Sequence, residues 1–302
     1  MKKICVIGSL NIDLTATLPR FHEPGETIFG TDFKTYTGGK GGNQAVAAAK
    51  LGADTAMVGC LGDDANGGIY RDLMKELHIE DCVETAPGLS SGVALIEVDA
   101  KGENRIIVIS GANMALTREM IDDCWEKIAD RDIFLLQLEI PLDTNAYVVE
   151  KLHAAGKTII LDPAPAAPLP EEILTKVDFI IPNETELALL SGCRTETEEE
   201  IEAGARVLLE RGCKNVIVKM GSRGAMLVNA DGVDLKEGFK VSAVDTTAAG
   251  DSFNAGFSVA LASGKTVSEA ITFANAVGAL STTAVGAQGA MPSLRQVEDM
   301  LA

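Results

Sequence analysis

The chain has 302 residues, 46% of them hydrophobic, with 30 glycines, 4% aromatics and a formal net charge of -18. That much apolar material excludes a disordered chain. The acidic balance excludes a general nucleic-acid binder, which needs Lys and Arg in excess to meet phosphate, but it leaves room for one anionic nucleotide held by Mg²⁺, backbone amides and a few placed cations.

"KICVIGSLNID" reads as a buried strand ending in a polar turn. Its apolar run is cut by Gly8, Asn11 and Asp13, without a signal peptide's continuous stretch. "LTATLPRFHEPGETIFGTDFKTY", 14–36, reads as strands joined by turns. "TGGKGGNQAVAAAKLGA" is a glycine loop feeding an Ala-rich helix stopped by Gly52. "DTAMVGCLG" is a strand, "GGIYRDLMKELHI" an amphipathic helix, and "GVALIEVDAKGENRIIVIS", 92–110, a hairpin turning at Lys101-Gly102. From about Leu116 helices and short apolar strands alternate: "TREMIDDCWEKIAD", "IFLLQLE", "LDTNAYVVEKLHAAG", "TIILDPAPA", "FIIPNETELALLSG", "TEEEIEAGARVLLERG" with a Thr197–Glu200 capping box, and "NVIVKMG". "GAMLVNADGVDLKE" adds a hairpin at the sheet edge turning at Asp231-Gly232, and the last third ends in helices.

This alternation predicts an α/β fold, a doubly wound, mostly parallel sheet with helices on both faces. The two helix-free regions predict a small separate sheet, giving a core of 1–13, 37–91 and 111–302 and an inserted unit of 14–36 and 92–110. The six cysteines are scattered without metal-ligand spacing, as expected of buried thiols in a reducing cytoplasm. No apolar run is long enough to span a bilayer, so a soluble cytoplasmic protein is expected.

Neither G-x-x-x-x-G-K-[ST] nor G-x-G-x-x-G is present, which argues against a nicotinamide dehydrogenase. The candidate phosphate site is "DTTAAGDSFNAGF". Ala248, Ala249 and Gly250 let a ligand approach amides where a helix begins, and unpaired N–H groups with the positive dipole end favour an anion there. Asp251 at that joint reads either as the helix N-cap or as a base taking a proton from an attacking hydroxyl. "GGKGGNQ" puts four glycines around Lys40, more than a turn needs, with Lys40 and Asn43 as donors to a polar ligand. Asn11 and Asp13 in "NID", at the carboxyl end of the first strand, and Glu139 after "LLQL" are either turn formers or ligand groups. In "NETE", Asn183 and Glu186 read equally as a capping pair or as a metal-phosphate pair. His22, His78 and His153 share no catalytic arrangement and read as surface or packing residues.

Taken in order, "GSLNID", "PGET", "GGKGGNQAVAAAKLGA", "GDD", "LLQLEIP", "DPAPA", "PNETE", "GSRGA", "DTTAAGDSFNAGF" and "GAQGAMPS" resemble the PfkB (ribokinase-like) carbohydrate kinases over essentially the whole chain. The resemblance implies that the small sheet is a lid that also forms a homodimer contact. It implies that Asn11, Asp13, Gly39, Lys40, Asn43 and Glu139 bind a sugar, that Asp251 is the base, and that Ala248, Ala249 and Gly250 form an anion hole. ATP is implied along Asn183, Lys219, Gly221, Ser222, Gly224, Gly250 and Asn275, with Glu186 ordering Mg²⁺ through water. A K⁺ ion is implied among oxygens of Asp245, Thr247, Ser281, Ala284, Gly286 and Ala290. The sequence departs from the family pattern at Ala248, where Gly is commoner, at Lys219, where a small hydroxyl residue is frequent, and at Ala290, where Ser would offer a side-chain ligand. The expected activity is ATP-dependent phosphorylation of the ribose 5-hydroxyl. A sister kinase for 2-deoxyribose, fructose, a nucleoside or another small polyol is the alternative, and a non-catalytic sugar or nucleotide sensor is the rival from another class.

Overall fold

The computed structural model describes residues 1–302. Its main sheet has nine strands in the order Gly232–Lys236, Ala225–Asn229, Asn215–Lys219, Phe179–Ile180, Thr158–Leu161, Ile133–Leu136, Ile4–Ile7, Thr55–Val58 and Glu80–Asp81. Neighbours are parallel except at the first edge, where the hairpin at Asp231-Gly232 adds two antiparallel strands.

The central strand shows why the fold needs helices on both sides. Ile4 and Val6 enter one apolar layer, with helices Lys40–Lys50, Ala249–Ala262 and Val267–Ser281. Cys5 and Ile7 enter the other, with Arg118–Ile128, Leu142–Ala154 and Glu198–Glu210. Side chains of period two therefore have two dry faces to fill, which is why the run ICVI carries no polar residue.

Strand order reverses beside Ile4–Ile7. The chain runs from it to Thr55–Val58 on one side, then returns to Ile133–Leu136 on the other. The crevice at the carboxyl ends of these strands is where ligands bind in open sheets of this kind. A second sheet of four strands stands apart, in the order Asp32–Gly38, Asn11–Thr17, Gly92–Val98 and Asn104–Ile109. Asn11 pairs with both Gly38 and Gly92.

"NID" therefore does not end the first core strand. That strand stops at Ile7, and Asn11 opens the first strand of the small sheet. The break lies at Gly8, where an added Cβ would sit 1.9 Å from the Gln137 side-chain oxygen. The hairpin at Lys101-Gly102 and the capping box of Thr197 with Glu200 form as expected. The C-terminal helix Leu294–Leu301 and the short pair Cys60–Gly62 with Glu84–Ala86 are additions that the sequence reading did not resolve.

Candidate active site

Helix Ala249–Ala262 begins at the mouth of the switch-point crevice. Ala248, just before it, has a left-handed φ of 58°, and no side chain caps the helix. The N-cap reading of Asp251 is therefore wrong. The left-handed turn starts the helix early enough to put Asp251 in its first turn, and its carboxylate faces sideways across the crevice. There Oδ2 accepts from Asn43 Nδ2 at 2.9 Å and Oδ1 from Gln44 Nε2 at 3.1 Å.

Two cavities meet at this helix tip. One, of about 410 Å³, is lined by Gly221, Ser222, Gly224 and Asn275, with Val241 and Phe253 as apolar wall. The other, of about 470 Å³, is lined by Lys40, Asp162, Asn183, Glu186 and Asp251. Lys219, Gly221, Thr246, Ala249 and Gly250 line both and divide them. Six of the seven expected nucleotide residues, Gly250 at the helix tip among them, thus line the first cavity, while Asn183 lies in the other. Lys219 Nζ pairs with Asp162 Oδ1 at 2.9 Å, beside Gly250. A lysine and the positive end of a helix side by side make a place where an anion is stabilised. The Ala249 N–H turns back to the Thr246 carbonyl at 3.2 Å, so this member of the expected anion hole has an internal partner.

Of the expected sugar residues Lys40 lines the second cavity, Asn43 bonds Asp251, and Asp13 is close enough to feel the charges of Asp251 and Glu139. Glu139 Oε2 accepts from Ser9 Oγ at 2.5 Å and from the Lys40 amide at 3.2 Å. Asn11 Oδ1 accepts from Asn113 Nδ2 at 2.7 Å. Asp13 is half-buried on the small sheet. Burial, with the charges of Glu139 and Asp251, raises its pKa to about 6.

The glycines around Lys40 have a packing cause. A Cβ on Gly41 would lie 2.7 Å from the backbone of Gly8 and Ser9, and one on Gly42 would lie 2.0 Å from the Tyr70 hydroxyl. They let helix Lys40–Lys50 press against the broken strand end and so aim Asn43 and Gln44 at Asp251. Protein neighbours thus account for Gly41 and Gly42.

Burial pushes Asp251 up to about 6, against the pull of Lys40; Asp162 adds to the rise, while hydrogen bonds from Asn43 and Gln44 oppose it. For Lys40, burial alone would lower the pKa, but the charges of Asp251, Asp162, Glu139 and Glu186 outweigh it and raise it. The site is a buried acid of near-neutral pKa beside a lysine held protonated, a pairing suited to taking a proton where negative charge arrives.

Asn183 and Glu186 form the capping box that the sequence allowed: Glu186 Oε2 accepts from the Asn183 amide at 2.7 Å and Asn183 Oδ1 from the Glu186 amide at 2.8 Å. Glu186 also lines the second cavity, so the cap leaves its side chain at the crevice. Asn275 Nδ2 donates to the Lys236 and Glu237 carbonyls. Asp245 accepts from the Thr247 amide and from the Gly286 amide, each at 2.9 Å, joining two loops of the expected cation set. Ala284 and Ala290 flank Gly286 on its loop, while the Ser281 hydroxyl donates to the Gly278 carbonyl at 2.8 Å.

Four residues at the centre were missed as site residues. Gln44 and Asp162 lie in motifs quoted above, as do Gln137 and Gln288. Gln288 Nε2 donates to Asn43 Oδ1 at 3.1 Å and to the Tyr70 hydroxyl at 2.8 Å, and its Oε1 accepts from Thr37 Oγ1 at 2.5 Å. None of the three histidines lines either cavity.

The sequence profile described as pfkB family carbohydrate kinase matches residues 1–294. The chain belongs to the pfkB family of carbohydrate kinases. It is 40% identical over 302 residues to the ribokinase of Bacillus subtilis, covering 100% of both chains. It is 39% identical over 300 residues to the deoxyribokinase of Salmonella typhi, covering 99% of this chain and 98% of that one. The solved structure of Arabidopsis thaliana ribokinase complexed with ribose and ATP matches with a TM-score of 0.94 at 36% identity, covering 99% of this chain and 98% of that one. The large, mostly parallel sheet with a separate small sheet is the fold shared with these pfkB-family kinases.

Proposed function

We propose that this pfkB-family kinase transfers the γ-phosphoryl group of ATP to the 5-hydroxyl of D-ribose, giving ribose 5-phosphate and ADP. The observation that carries this reading is the helix tip at Ala249 and Gly250, which divides two cavities and has a buried acid, Asp251, on one side. ATP would lie in the cavity of Gly221, Ser222, Gly224 and Asn275, with its γ-phosphate at the tip beside Lys219. Ribose would lie against Asn11, Asp13, Gly39, Lys40, Asn43 and Glu139. The O5–H proton passes to the Asp251 carboxylate as the new O5–P bond forms and the bond from the γ-phosphorus to the bridging oxygen breaks, leaving ADP. Lys40, Lys219 and the Gly250 amide at the tip stabilise the charge on the transferring group.

Glu186 and Asp162 supply only hard oxygen donors to the second cavity, which suits Mg²⁺ held partly through water. When bound, Mg²⁺ would neutralise phosphate charge. The oxygens of Asp245, Thr247, Ser281, Ala284, Gly286 and Ala290 would form a carbonyl-rich site for K⁺.

We further propose that the small sheet of strands Asn11–Thr17, Asp32–Gly38, Gly92–Val98 and Asn104–Ile109 acts as a lid over the sugar and pairs with a second copy. Ile106, Ile107 and Val108 on the outer strand of the small sheet are each more than half exposed, an apolar edge that a partner would cover. Free cysteines, five of them buried, suit a reducing cytoplasm, and no helix is long and apolar enough to cross a membrane.

A second reading, phosphorylation of 2-deoxyribose, draws on the similarity to a deoxyribokinase. A panel of ribose, 2-deoxyribose, fructose and nucleosides assayed for ATP-dependent phosphorylation separates the two. Ribose is expected to give the highest kcat/KM. A preference for 2-deoxyribose would transfer the proposal to that sugar, and ligand binding without product would favour a sensor.

A further inference from the structure

Asp251 is held on both oxygens by side-chain amides of one helix turn, Asn43 and Gln44. Gln44 is fully buried and sits between two carboxylates. Its Nε2 donates to Asp251 Oδ1 at 3.1 Å and to Asp162 Oδ2 at 3.0 Å, so both of its N–H groups meet negative charge. Its Oε1 accepts from Gln137 Nε2 at 2.7 Å. Turning the Gln44 amide over would aim its oxygen at two carboxylates and its NH₂ at another NH₂, so Gln137 leaves it one orientation. Gln137 in turn keeps its own oxygen buried over Gly8 with no partner in the protein. A buried amide oxygen without a partner is costly, and here it is tolerated so that the N–H group faces Gln44.

We propose that Gln44, oriented by Gln137, is the positioning residue that aims the Asp251 carboxylate for phosphoryl transfer, a role that rests on the reading of Asp251 as the base. Through Asp162 the same amide also steadies Lys219 at the boundary of the two cavities. A hydrogen bond donated to an ionised carboxylate lowers its pKa, so losing the Gln44 donor raises it. The charged and titratable groups around Asp251 are Lys40 on the helix of Gln44, Asp162 after strand Thr158–Leu161, Glu186 on helix Glu184–Ser191, Lys219 at the end of strand Asn215–Lys219, Asp13 on the small sheet and Tyr70 on helix Ala65–Glu76. Changing Gln44 to Met removes its donor to Asp162 together with that to Asp251, replaces none of these groups and preserves side-chain length.

The test compares Gln44→Met, Gln137→Met and the double variant by kcat, sugar KM and the pH profile of kcat. It adds a ¹³C titration of the aspartate carboxyls, with Asp251 identified by Asp251→Asn. Gln44→Met is expected to lower kcat by about tenfold or more, with sugar KM changed by less than about threefold, because a misaimed base costs rate rather than binding. Its acid limb and its Asp251 titration are expected about half a pH unit or more higher. Gln137→Met moves both in the same direction by less, and the double variant is no worse than Gln44→Met because the two act in series. An unchanged kcat with an unmoved acid limb in Gln44→Met overturns the proposal, as do losses that add fully in the double variant. If Gln44→Met does not fold, Gln137→Met decides by the same shift. If the wild type phosphorylates no sugar, the functional reading fails by itself, and equal Asp251 titrations in wild type and Gln44→Met would still overturn the positioning role.

Discussion

Replacing Asp251 with Asn is expected to stabilise the fold at neutral pH while removing turnover. Burial raises this carboxyl from 3.8 to about 6, with Lys40 opposing the rise. At about 1.36 kcal/mol per pH unit, keeping the group ionised in the folded state costs about 3 kcal/mol. Between pH 3.8 and about 6 the folded chain binds the proton and the unfolded chain does not, so this group makes stability fall as pH rises through that window, with the full deficit above it. Asn carries no charge, but its NH₂ must face one of the two amide donors that now meet the carboxylate, a loss of about 1–2 kcal/mol. The net gain at pH 8 is about 1–2 kcal/mol, or about 2–4 °C in Tm for a chain of this size. By pH 4.5 the deficit in the wild type has shrunk to about 1 kcal/mol and the advantage of Asn vanishes. Scanning calorimetry of both proteins at the two pH values reads this out. An Asn variant less stable than wild type by the same margin at pH 8 and pH 4.5 would refute the idea that Asp251 is held as a costly buried charge.

Other consequences follow from the same geometry. Asp13 and Asp251 are both raised to about 6, so kcat/KM should fall below that pH with a slope steeper than one decade per unit; a single limb near pH 4 would contradict it. Lys219→Met should lower kcat/KM for ATP by about tenfold to a hundredfold while leaving sugar affinity nearly unchanged, because the lysine lines the cavity proposed for ATP and the helix tip. Equal losses for both substrates would make Lys219 merely a partner of Asp162. Ile107→Asp on the exposed strand should yield a monomer by light scattering, whereas an unchanged oligomer would remove the small sheet from the interface.

Much of the fold could be read from the chain because its signals are local. The capping boxes at Thr197 and Asn183 depend on residues three apart, and the hairpin at Asp231-Gly232 on two adjacent ones. The position of Asp251 could not be read this way, since it turns on the left-handed Ala248, a residue whose type gives no hint of that conformation. Gln44 and Asp162 are separated by 118 residues, and Gln288 and Asn43 by 245, so their pairing is a product of topology. The glycines around Lys40 were visible, but what they accommodate, the backbone of Gly8 and the Tyr70 ring, was not.

The most direct measurement mixes ATP with ¹³C-labelled ribose and follows phosphorus and carbon NMR for the wild type and for Asp251→Asn, alongside ribose binding to each. The wild type should place phosphate on C5, and Asp251→Asn should bind ribose within about tenfold of normal yet turn over at least about a hundredfold more slowly. Phosphate on another carbon, or near-normal turnover without the carboxylate, would contradict the account.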